Sequence, residues 1–263
     1  KSLNTAPALA AAVKYLLDCR GAKQEEKIVF VPADHFIRDT EEYVALLETA
    51  FREIGDRLGT IGIEPTKPET GYGYIRKGEP AANHFTVAEF CEKPPLDQAK
   101  AYLASGDYLW NSGMYLFTAG TFLEEIEKYA PEIFALLDKD WESFLDGFQA
   151  LPAISIDNAV SEKSDRVIVF PGNFGWSDIG SFDSLAELGT SGFMTRHIGI
   201  DCKDVYVHSE NDRLIATIGL EDIVVVEAGD SILVYKRGRA EAVKQIVEKL
   251  KEGEAKEIDR LEE

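Results

Sequence analysis

A short apolar run that ends in a proline and an aspartate constrains this chain most. Residues 28–31 are Ile, Val, Phe and Val, which predicts a strand buried on both faces. Pro32 cannot donate a hydrogen bond within a sheet, so we expect the strand to end there. Asp34 is the first charged residue after that end. Ligands in open α/β sheets bind beyond the carboxyl ends of strands, so Asp34 either meets a metal ion and a nucleotide or only caps backbone N–H groups.

Helix and strand patterns alternate around this run. An alanine-rich helix is predicted from the cap at Asn4 to residue 18, and a second helix from the cap at Asp39 to Gly59. A short strand follows over residues 60–64. Further strands are predicted over residues 85–90, 110–117 and 166–170, with helices over residues 96–105 and 119–137. This order predicts a parallel α/β layout.

Two polar features interrupt these patterns. Residues 65–80 are rich in proline and glycine, and their Gly-Tyr-Gly-Tyr run at 71–74 combines close backbone approach with flat rings that carry polar tips. The run is equally consistent with a sugar-binding lip and with an ordinary turn. Asn111 and Gly113 break an otherwise apolar strand, so the amide is either a satisfied buried group or a ligand contact.

The pattern changes beyond about residue 190. Short β-rich segments recur at about ten-residue intervals, over residues 204–208, 213–218, 222–226 and 231–235. They predict either a small antiparallel sheet or turns of a β-solenoid. A final amphipathic helix over residues 240–250 and a charged, frayed tail over residues 252–263 complete the prediction.

Charge and cysteine content exclude several classes of protein. A net charge of −19 over 263 residues argues against nucleic acid or an anionic membrane as a partner. No apolar run is long enough to span a bilayer. Cys19, Cys91 and Cys202 lack the spacing of metal ligands and are too few for a disulfide framework, so we expect a reducing, cytoplasmic location.

Six motifs, taken together, resemble a known family. They occur in the order PADHFIRD, ETGYGYI, EFCEKP, WNSGMYLF, SIDNAVSEKS and FGWSDIGS. They are similar to the sugar-phosphate nucleotidyltransferases, and most closely to the bacterial mannose-1-phosphate guanylyltransferases. The resemblance covers residues 2 to about 185 and, more loosely, the chain to about residue 250.

The resemblance implies a fold and a reaction. The expected fold is a Rossmann-like α/β domain with a mixed, mainly parallel sheet over residues 1–188, and a short left-handed β-helix-like segment closed by a helix over residues 189–263. The expected reaction transfers GMP from GTP to mannose 1-phosphate, giving GDP-mannose and pyrophosphate, with Mg2+ as the cofactor. A homodimer is a further expectation.

Matching positions imply roles for individual residues. Asp34 and Asp178 resemble the metal-binding carboxylates, and Glu92 resembles the acceptor for sugar hydroxyls. The two lysines that resemble catalytic phosphate contacts are Lys93 and Lys163. Further sugar contacts are implied for Gly71, Tyr72, Gly73, Tyr74, Asn111, Gly113 and Glu162, and nucleotide contacts for Asn4, Thr5, Pro32 and Asp34. Both lysines are otherwise solvated surface residues, but lysines inside Gly- and Pro-rich motifs of so acidic a chain are less often incidental.

The sequence also departs from the family pattern. In the family, a glycine-rich loop on a first strand carries an Arg and a Lys and binds the triphosphate. This loop does not occur in these 263 residues. We therefore expect a sheet without that strand, an exposed apolar sheet edge and poor catalysis by this chain alone. Leu3 and Asn158 replace an arginine and an aromatic residue of the pattern. Two alternatives stay open: a related thymidylyl or uridylyl hexose-1-phosphate transferase, and a catalytically silent module that binds sugar phosphate.

Overall fold

A computed structural model describes residues 3–189 and 196–253 of the chain. The chain divides into two compact units, Lys1–Trp176 and Ser177–Glu263. The boundary predicted from the sequence after residue 188 stays a prediction. No helix in the described ranges is long and apolar enough to cross a membrane.

The first unit alternates helices with strands. Its helices are α1 (Thr5–Arg20), α2 (Thr40–Glu53), α3 (Leu96–Ser105), α4 (Ala119–Tyr129), α5 (Pro131–Leu137) and α6 (Trp141–Gly147), with a 3-10 turn at Phe148–Ala150 and a π-helical turn at Asp157–Ser161. Its strands are β1 (Lys27–Phe30), β2 (Phe36–Ile37), β3 (Leu58–Ile63), β4 (Tyr74–Pro80), β5 (Phe85–Cys91), β6 (Tyr108–Thr118) and β7 (Val167–Gly172). The short strand β8 (Trp176–Ser177) lies at the boundary of the two units.

The main sheet has six strands in the order β1-β6-β3-β7-β5-β4, and β6 also pairs with β4. The predicted α/β fold with a mixed sheet is confirmed. The prediction that the sheet is mainly parallel is wrong for the described strands, because only β3 and β7 pair in parallel and β6 runs antiparallel to both β1 and β3. Since β1, β3 and β7 nevertheless point the same way, their carboxyl ends meet at one edge of the sheet.

Strand β1 is less buried than its sequence predicts. It lies at the edge of the sheet, where its partner among the described strands is β6 alone. Ile28 to Phe30 are therefore only half-buried, and Val31 is 43% exposed. The prediction of a strand buried on both faces is wrong for this reason.

The observed starts of the helices agree with the predicted ones better than the observed boundaries of the strands do. The side chain of Asn4 accepts a hydrogen bond from the N–H of Thr5, and that of Asp39 accepts one from the N–H of Glu42, as the predicted caps require. The second helix ends at Glu53, not at Gly59 as predicted, and Gly59 already lies in β3. Residues 74–80 form β4 and not the predicted loop.

Alternate residues of the central strands face two hydrophobic layers. On one side Phe117 and Phe122 stack with ring centroids 5.0 Å apart, within a core shared with α1, α4, α5 and α6. On the other side Leu116 and Phe170 pack against α2 and α3. Helices therefore cover both faces of the sheet, which leaves its strand ends to carry polar groups.

The second unit is built from short strands. They are β9 (Arg196–Ile200), β10 (Tyr206–Ser209), β11 (Leu214–Ile218), β12 (Ile223–Ala228) and β13 (Ser231–Lys236), with helices α7 (Phe182–Glu187) and α8 (Val243–Glu252). Parallel pairing of β9 with β11 and of β10 with β12 forms two rungs, and β13 returns antiparallel to β12. This pairing favours the β-solenoid alternative. Strand β9 was not predicted, and most of the predicted charged tail lies outside the described residues.

Candidate functional site

Glu92 and Lys93 form an ion pair directly after β5. The Nζ of Lys93 lies 3.0 Å from Oε1 of Glu92, and the glutamate side chain is 20% exposed while that of the lysine is 62% exposed. The backbone of Lys93 has a φ of 47°, in the left-handed region that non-glycine residues rarely adopt. Strained backbone of this kind concentrates at functional sites, which agrees with the roles predicted for both residues.

The electrostatic surroundings of Glu92 are unfavourable to its charge. Burial raises the pKa of Glu92 above the ordinary value, and the carboxylates of Asp157 and Glu162 raise this pKa further. The hydrogen bond and the charge of Lys93 act in the opposite direction. A carboxylate that is kept in a partly dry, negative environment is a candidate for ligand binding.

The predicted lip packs against this pair. The N–H of Asn111 donates to the carbonyl of Gly73 at 2.8 Å. A Cβ built on Gly73 would lie 2.8 Å from Oε2 of Glu92 and 3.4 Å from Cβ of Asn111. Tyr72 packs edge-on against two tryptophan rings, Trp110 and Trp176, at centroid distances of 5.1 and 5.3 Å. The structure thus brings Gly73, Glu92 and Asn111 together.

Other residues of the lip differ from the prediction. Tyr74 is fully buried in the core, so its side chain is not part of the exposed lip that the sequence predicts. The N–H of Gly71 donates to Oε1 of Glu69 at 3.1 Å, which shapes the turn before the lip. The close contact with Glu92 and Asn111 is therefore made by Gly73.

Replacing Gly73 by alanine should weaken sugar-phosphate binding without unfolding the protein. The added methyl would displace the flexible carboxylate of Glu92, and we expect the Kd for mannose 1-phosphate to rise about tenfold, the loss of about one hydrogen bond. Calorimetric titration measures this change. Gly199→Ala is the control, because Gly199 lies in β9, outside the predicted site, and its Cβ would meet its nearest neighbours at an ordinary 3.4 Å. Equal affinities of the two variants would contradict the assignment of Glu92 and Gly73 to one site.

Asn111 lies in a distortion of β6. Gly113 adopts a φ of 71°, which a residue with a side chain rarely tolerates, and the register of β6 against β3 shifts between Thr60 and Gly62. The hydroxyl of Thr60 donates to Oδ1 of Asn111 at 2.8 Å, and the N–H of Gly113 lies 3.3 Å from the same oxygen. The nitrogen of the Asn111 amide donates to Oδ1 of Asp157 at 2.8 Å. The amide oxygen is thus satisfied and one N–H is bonded to Asp157, and the group borders the Glu92 pair.

Sequence reasoning missed Asp157. Its Oδ1 also accepts a hydrogen bond from the Tyr115 hydroxyl at 2.5 Å, and that hydroxyl lies 3.0 Å from Oγ of Ser161. Asp157 is half-buried, and burial is the main reason why its pKa is raised. Its place inside the SIDNAVSEKS motif was the available signal, but at the start of a short helical turn it resembles a capping residue.

The residues predicted at the nucleotide lie near this network. The hydroxyl of Thr5 accepts a hydrogen bond from the N–H of Ile156 at 2.9 Å, which joins the start of α1 to the turn that carries Asp157. Asn4 is exposed and caps α1. A Cβ on Gly113 would lie 3.8 Å from Cγ of Pro32, so the end of β1 borders the distorted part of β6. Contact of Asn4, Thr5 and Pro32 with a nucleotide stays a prediction.

Glu162 and Lys163 are exposed beyond the π-helical turn. The ammonium of Lys163 donates to the carbonyl of Ala159 at 3.2 Å, within its own turn. Glu162 contributes to the negative field at Glu92. Both residues thus border the cluster, and their contacts with phosphate and sugar stay predictions.

The two predicted metal carboxylates belong to different units. Asp34 is exposed in the loop after β1, and that loop runs beside the segment after β7, where the N–H of Asp39 donates to the carbonyl of Phe174 at 3.0 Å. Asp178 lies in the second unit, where its carboxylate accepts a hydrogen bond from the N–H of Gly180 at 3.1 Å. In the part of the chain that the structure describes, no three His, Cys, Asp or Glu side chains cluster as metal ligands. A shared metal ion stays a prediction.

A cleft of about 510 Å3 opens at the carboxyl ends of β3 and β7. Ile63, Trp110 and Trp176 are among its lining residues, and Glu92 and Asn111 are not. Tyr72 packs on both of these tryptophans. The cleft therefore adjoins the lip but is separate from the Glu92 pair.

Comparison with known families matches both units. A family model described as nucleotidyl transferase matches residues 1–191, and one described as a mannoseP isomerase/GMP-like beta-helix domain matches residues 195–250. The second match agrees with the solenoid rungs formed by β9 to β12.

Two curated proteins are similar over most of the chain. The xanthan biosynthesis protein XanB of Xanthomonas campestris pv. campestris is 40% identical over 267 residues, which cover 95% of this chain and 56% of XanB. The mannose-1-phosphate guanylyltransferase of Escherichia coli strain K12 is 40% identical over 271 residues, which cover 94% of this chain and 56% of that enzyme. The chain thus spans about half the length of these relatives.

A solved structure is similar in fold as well. It is described as a mannose-1-phosphate geranyltransferase from Thermus thermophilus and is 31% identical to this chain. The match has a TM-score of 0.85 and covers 95% of this chain and 76% of that one.

Proposed function

The chain belongs to the nucleotidyl transferase family, and from this membership we propose that it transfers GMP from GTP to mannose 1-phosphate, giving GDP-mannose and pyrophosphate. The name of the Escherichia coli relative supports this choice of substrates. The observation that carries the proposal is the Glu92–Lys93 pair beside Gly73 and Asn111. It offers an acceptor for sugar hydroxyls and a cation for a phosphate within one cluster.

The reaction suits these residues chemically. The nucleophile is a phosphate oxygen of mannose 1-phosphate, which is already ionised near neutral pH, so no strong general base is required. The difficulty is to bring two anions together in line and to neutralise the developing charge. Lys93, and with it Lys163, would bind phosphate, while Glu92 would hold the sugar by its hydroxyls.

Mg2+ is the expected cofactor of the proposed reaction. Asp34 and Asp178 would hold it, and their carboxylate oxygens are the hard ligands that Mg2+ prefers. A site with fewer than three protein carboxylates also fits, because Mg2+ is commonly bound by one or two carboxylates together with substrate phosphates. When bound, the ion would neutralise charge on the triphosphate.

Pyrophosphate release tests the proposed function. We expect the full-length protein to release pyrophosphate only when GTP, mannose 1-phosphate and Mg2+ are all present, and to stop when excess EDTA removes the metal. A coupled pyrophosphate assay with GTP, UTP and dTTP, each offered with mannose 1-phosphate or glucose 1-phosphate, measures this. Faster release with UTP or dTTP and glucose 1-phosphate would favour the related transferases. Sugar-phosphate binding with no release in any combination would favour the silent module.

Location and partners remain predictions. A cytoplasmic location is proposed from the small number and wide spacing of the three cysteines. The net charge of −19 continues to argue against nucleic acid and anionic membranes as partners. A homodimer is proposed only from the family resemblance.

A further inference from the structure

The amide of Asn111 has one orientation in this structure. Its oxygen, Oδ1, faces the N–H of Gly113 at 3.3 Å and lies 2.8 Å from the hydroxyl of Thr60, whose single proton is also 3.0 Å from a second acceptor, the carbonyl of Met114. Its nitrogen therefore points to the opposite side, where it donates to Asp157 at 2.8 Å and lies 3.5 Å from the hydroxyl of Tyr115. An amide is nearly symmetric in shape, so its hydrogen-bond partners decide which end faces which way.

Asp157 contributes the stronger constraint on this orientation. A carboxylate only accepts hydrogen bonds, so it would repel the oxygen of Asn111 and attract the nitrogen. The hydroxyl of Tyr115, which is 1% exposed, donates to the same oxygen of Asp157 at 2.5 Å. The carboxylate of Asp157 thus accepts hydrogen bonds from the buried phenol of Tyr115 and from the amide of Asn111.

The orientation decides what the site can offer a sugar. The oxygen of Asn111 already faces two donors, the N–H of Gly113 and the hydroxyl of Thr60. The amide can therefore offer a ligand only an N–H. Glu92, as a carboxylate, can offer only an acceptor. Their positions are adjacent, since a Cβ on Gly73 would meet Oε2 of Glu92 at 2.8 Å and Cβ of Asn111 at 3.4 Å. A hexose hydroxyl can donate to one and accept from the other.

We propose that Asp157 is a positioning residue for the hexose: by accepting one N–H of Asn111, it fixes the orientation of the amide and leaves the second N–H for a sugar hydroxyl. This inference rests on the proposed function and assigns a role to a residue that lies inside the SIDNAVSEKS motif but that the family resemblance leaves without one. Asp157 acts through Asn111 and is not expected to touch the reacting phosphates.

A purely structural role for Asp157 is the alternative. An asparagine at this position could still accept the hydrogen bond of Tyr115 and one from Asn111, so packing alone does not require a charge. Burial raises the pKa of Asp157, so ionising this carboxyl costs more here than in water. A carboxylate in such a place is better explained by its effect on Asn111 than by its contribution to stability.

The test is Asp157→Asn, with Asp165→Asn as a control that removes one exposed carboxylate, paired with Lys128 at 3.7 Å. In Asp157→Asn the side chain at position 157 can pair with either end of the Asn111 amide, so it no longer favours one orientation. We expect the KM for mannose 1-phosphate in the full-length protein to rise about tenfold, the loss of roughly one oriented hydrogen bond. The KM for GTP and the midpoint of urea unfolding should stay near those of the unchanged protein. Asp165→Asn should match the unchanged protein in all three measurements.

The outcomes distinguish failure of the proposed function from failure of the positioning role of Asp157. If the unchanged protein neither binds mannose 1-phosphate nor releases pyrophosphate, the proposed function fails, and this inference fails with it. If the unchanged protein is active and Asp157→Asn retains its KM for mannose 1-phosphate, only the positioning role is overturned. Parallel losses in both KM values and in stability would also overturn it, because they would indicate a structural role.

Discussion

Replacing Glu92 by glutamine should lower the affinity for mannose 1-phosphate about 100-fold. Hydrogen bonds to a charged group contribute about 1.5–3 kcal/mol each, and the amide of glutamine loses the charge and turns one acceptor into a donor. The N–H groups of a glutamine would also compete with Asn111 as donors to the same hydroxyl. Calorimetric titration of the two proteins with mannose 1-phosphate measures the difference.

Glu79→Gln is the matched control for this change. Glu79 is an exposed carboxylate on β4, in the strand pair that also carries the Glu92 motif, and its loss should leave the affinity within about twofold. An equal loss of affinity in both variants would remove Glu92 from the sugar site. So would a Glu92→Gln protein that binds as the unchanged protein does.

The stability of Glu92→Gln should differ from that of the unchanged protein in a pH-dependent way. Because burial raises the pKa of Glu92 in the folded state, its contribution to stability is present at low pH and is lost as the pH rises through the folded-state pKa. Glutamine does not titrate. Urea unfolding at about pH 4 and about pH 7.5 should therefore show the variant gaining stability relative to the unchanged protein at the higher pH.

Replacing Arg166 by alanine should destabilise the protein by up to about 3 kcal/mol, less than the full loss for a buried ion pair because the arginine side chain is 27% exposed. Its Nη1 lies 2.6 Å from Oε2 of Glu124 and 3.4 Å from Oε1 of Glu125, and its Nε donates to the carbonyl of Asp56 at 2.9 Å. Glu125 is only 2% exposed. Without the guanidinium, its carboxylate would stay buried and lose its arginine partner. Urea unfolding measures the change.

Two further variants test whether the loss of stability comes from leaving the buried carboxylate of Glu125 without its arginine. Arg76→Ala removes an arginine whose pair with Glu89, at 3.1 Å, is nearly half exposed, and it should cost at most about 1 kcal/mol. The double variant Arg166→Ala with Glu125→Gln should recover much of the loss, because no buried charge remains. A single Arg166→Ala variant that is no less stable than Arg76→Ala would contradict the account.

Local interactions made the helices predictable. Asn4 and Asp39 cap their own helices, and Gly106 ends α3 with a φ of 72°, so a few neighbouring residues contain the whole signal. The end of α2 was mispredicted because its apolar stripe continues into Leu58, which is buried in β3. Periodicity alone does not tell where one buried element ends and the next begins.

Long-range contacts made the strands and the network harder to predict. The edge position of β1 depends on β6, which lies more than eighty residues later in the chain. Asp157 meets Tyr115 and Asn111, which are 42 and 46 residues away from it. Motif resemblance predicted roles for Glu92 and Asn111, but nothing in the residues around Asp157 indicates that the bulge in β6 would turn two polar side chains toward it.

A crystal structure of the full-length protein with GDP-mannose tests the central claim most directly. The account predicts a mannose hydroxyl within about 3 Å of the Glu92 carboxylate, with the nitrogen of Asn111 donating to the sugar at a similar distance. The amide of Asn111 should keep the orientation set by Thr60 and Asp157. A mannose bound away from Glu92 and Asn111 would contradict the account.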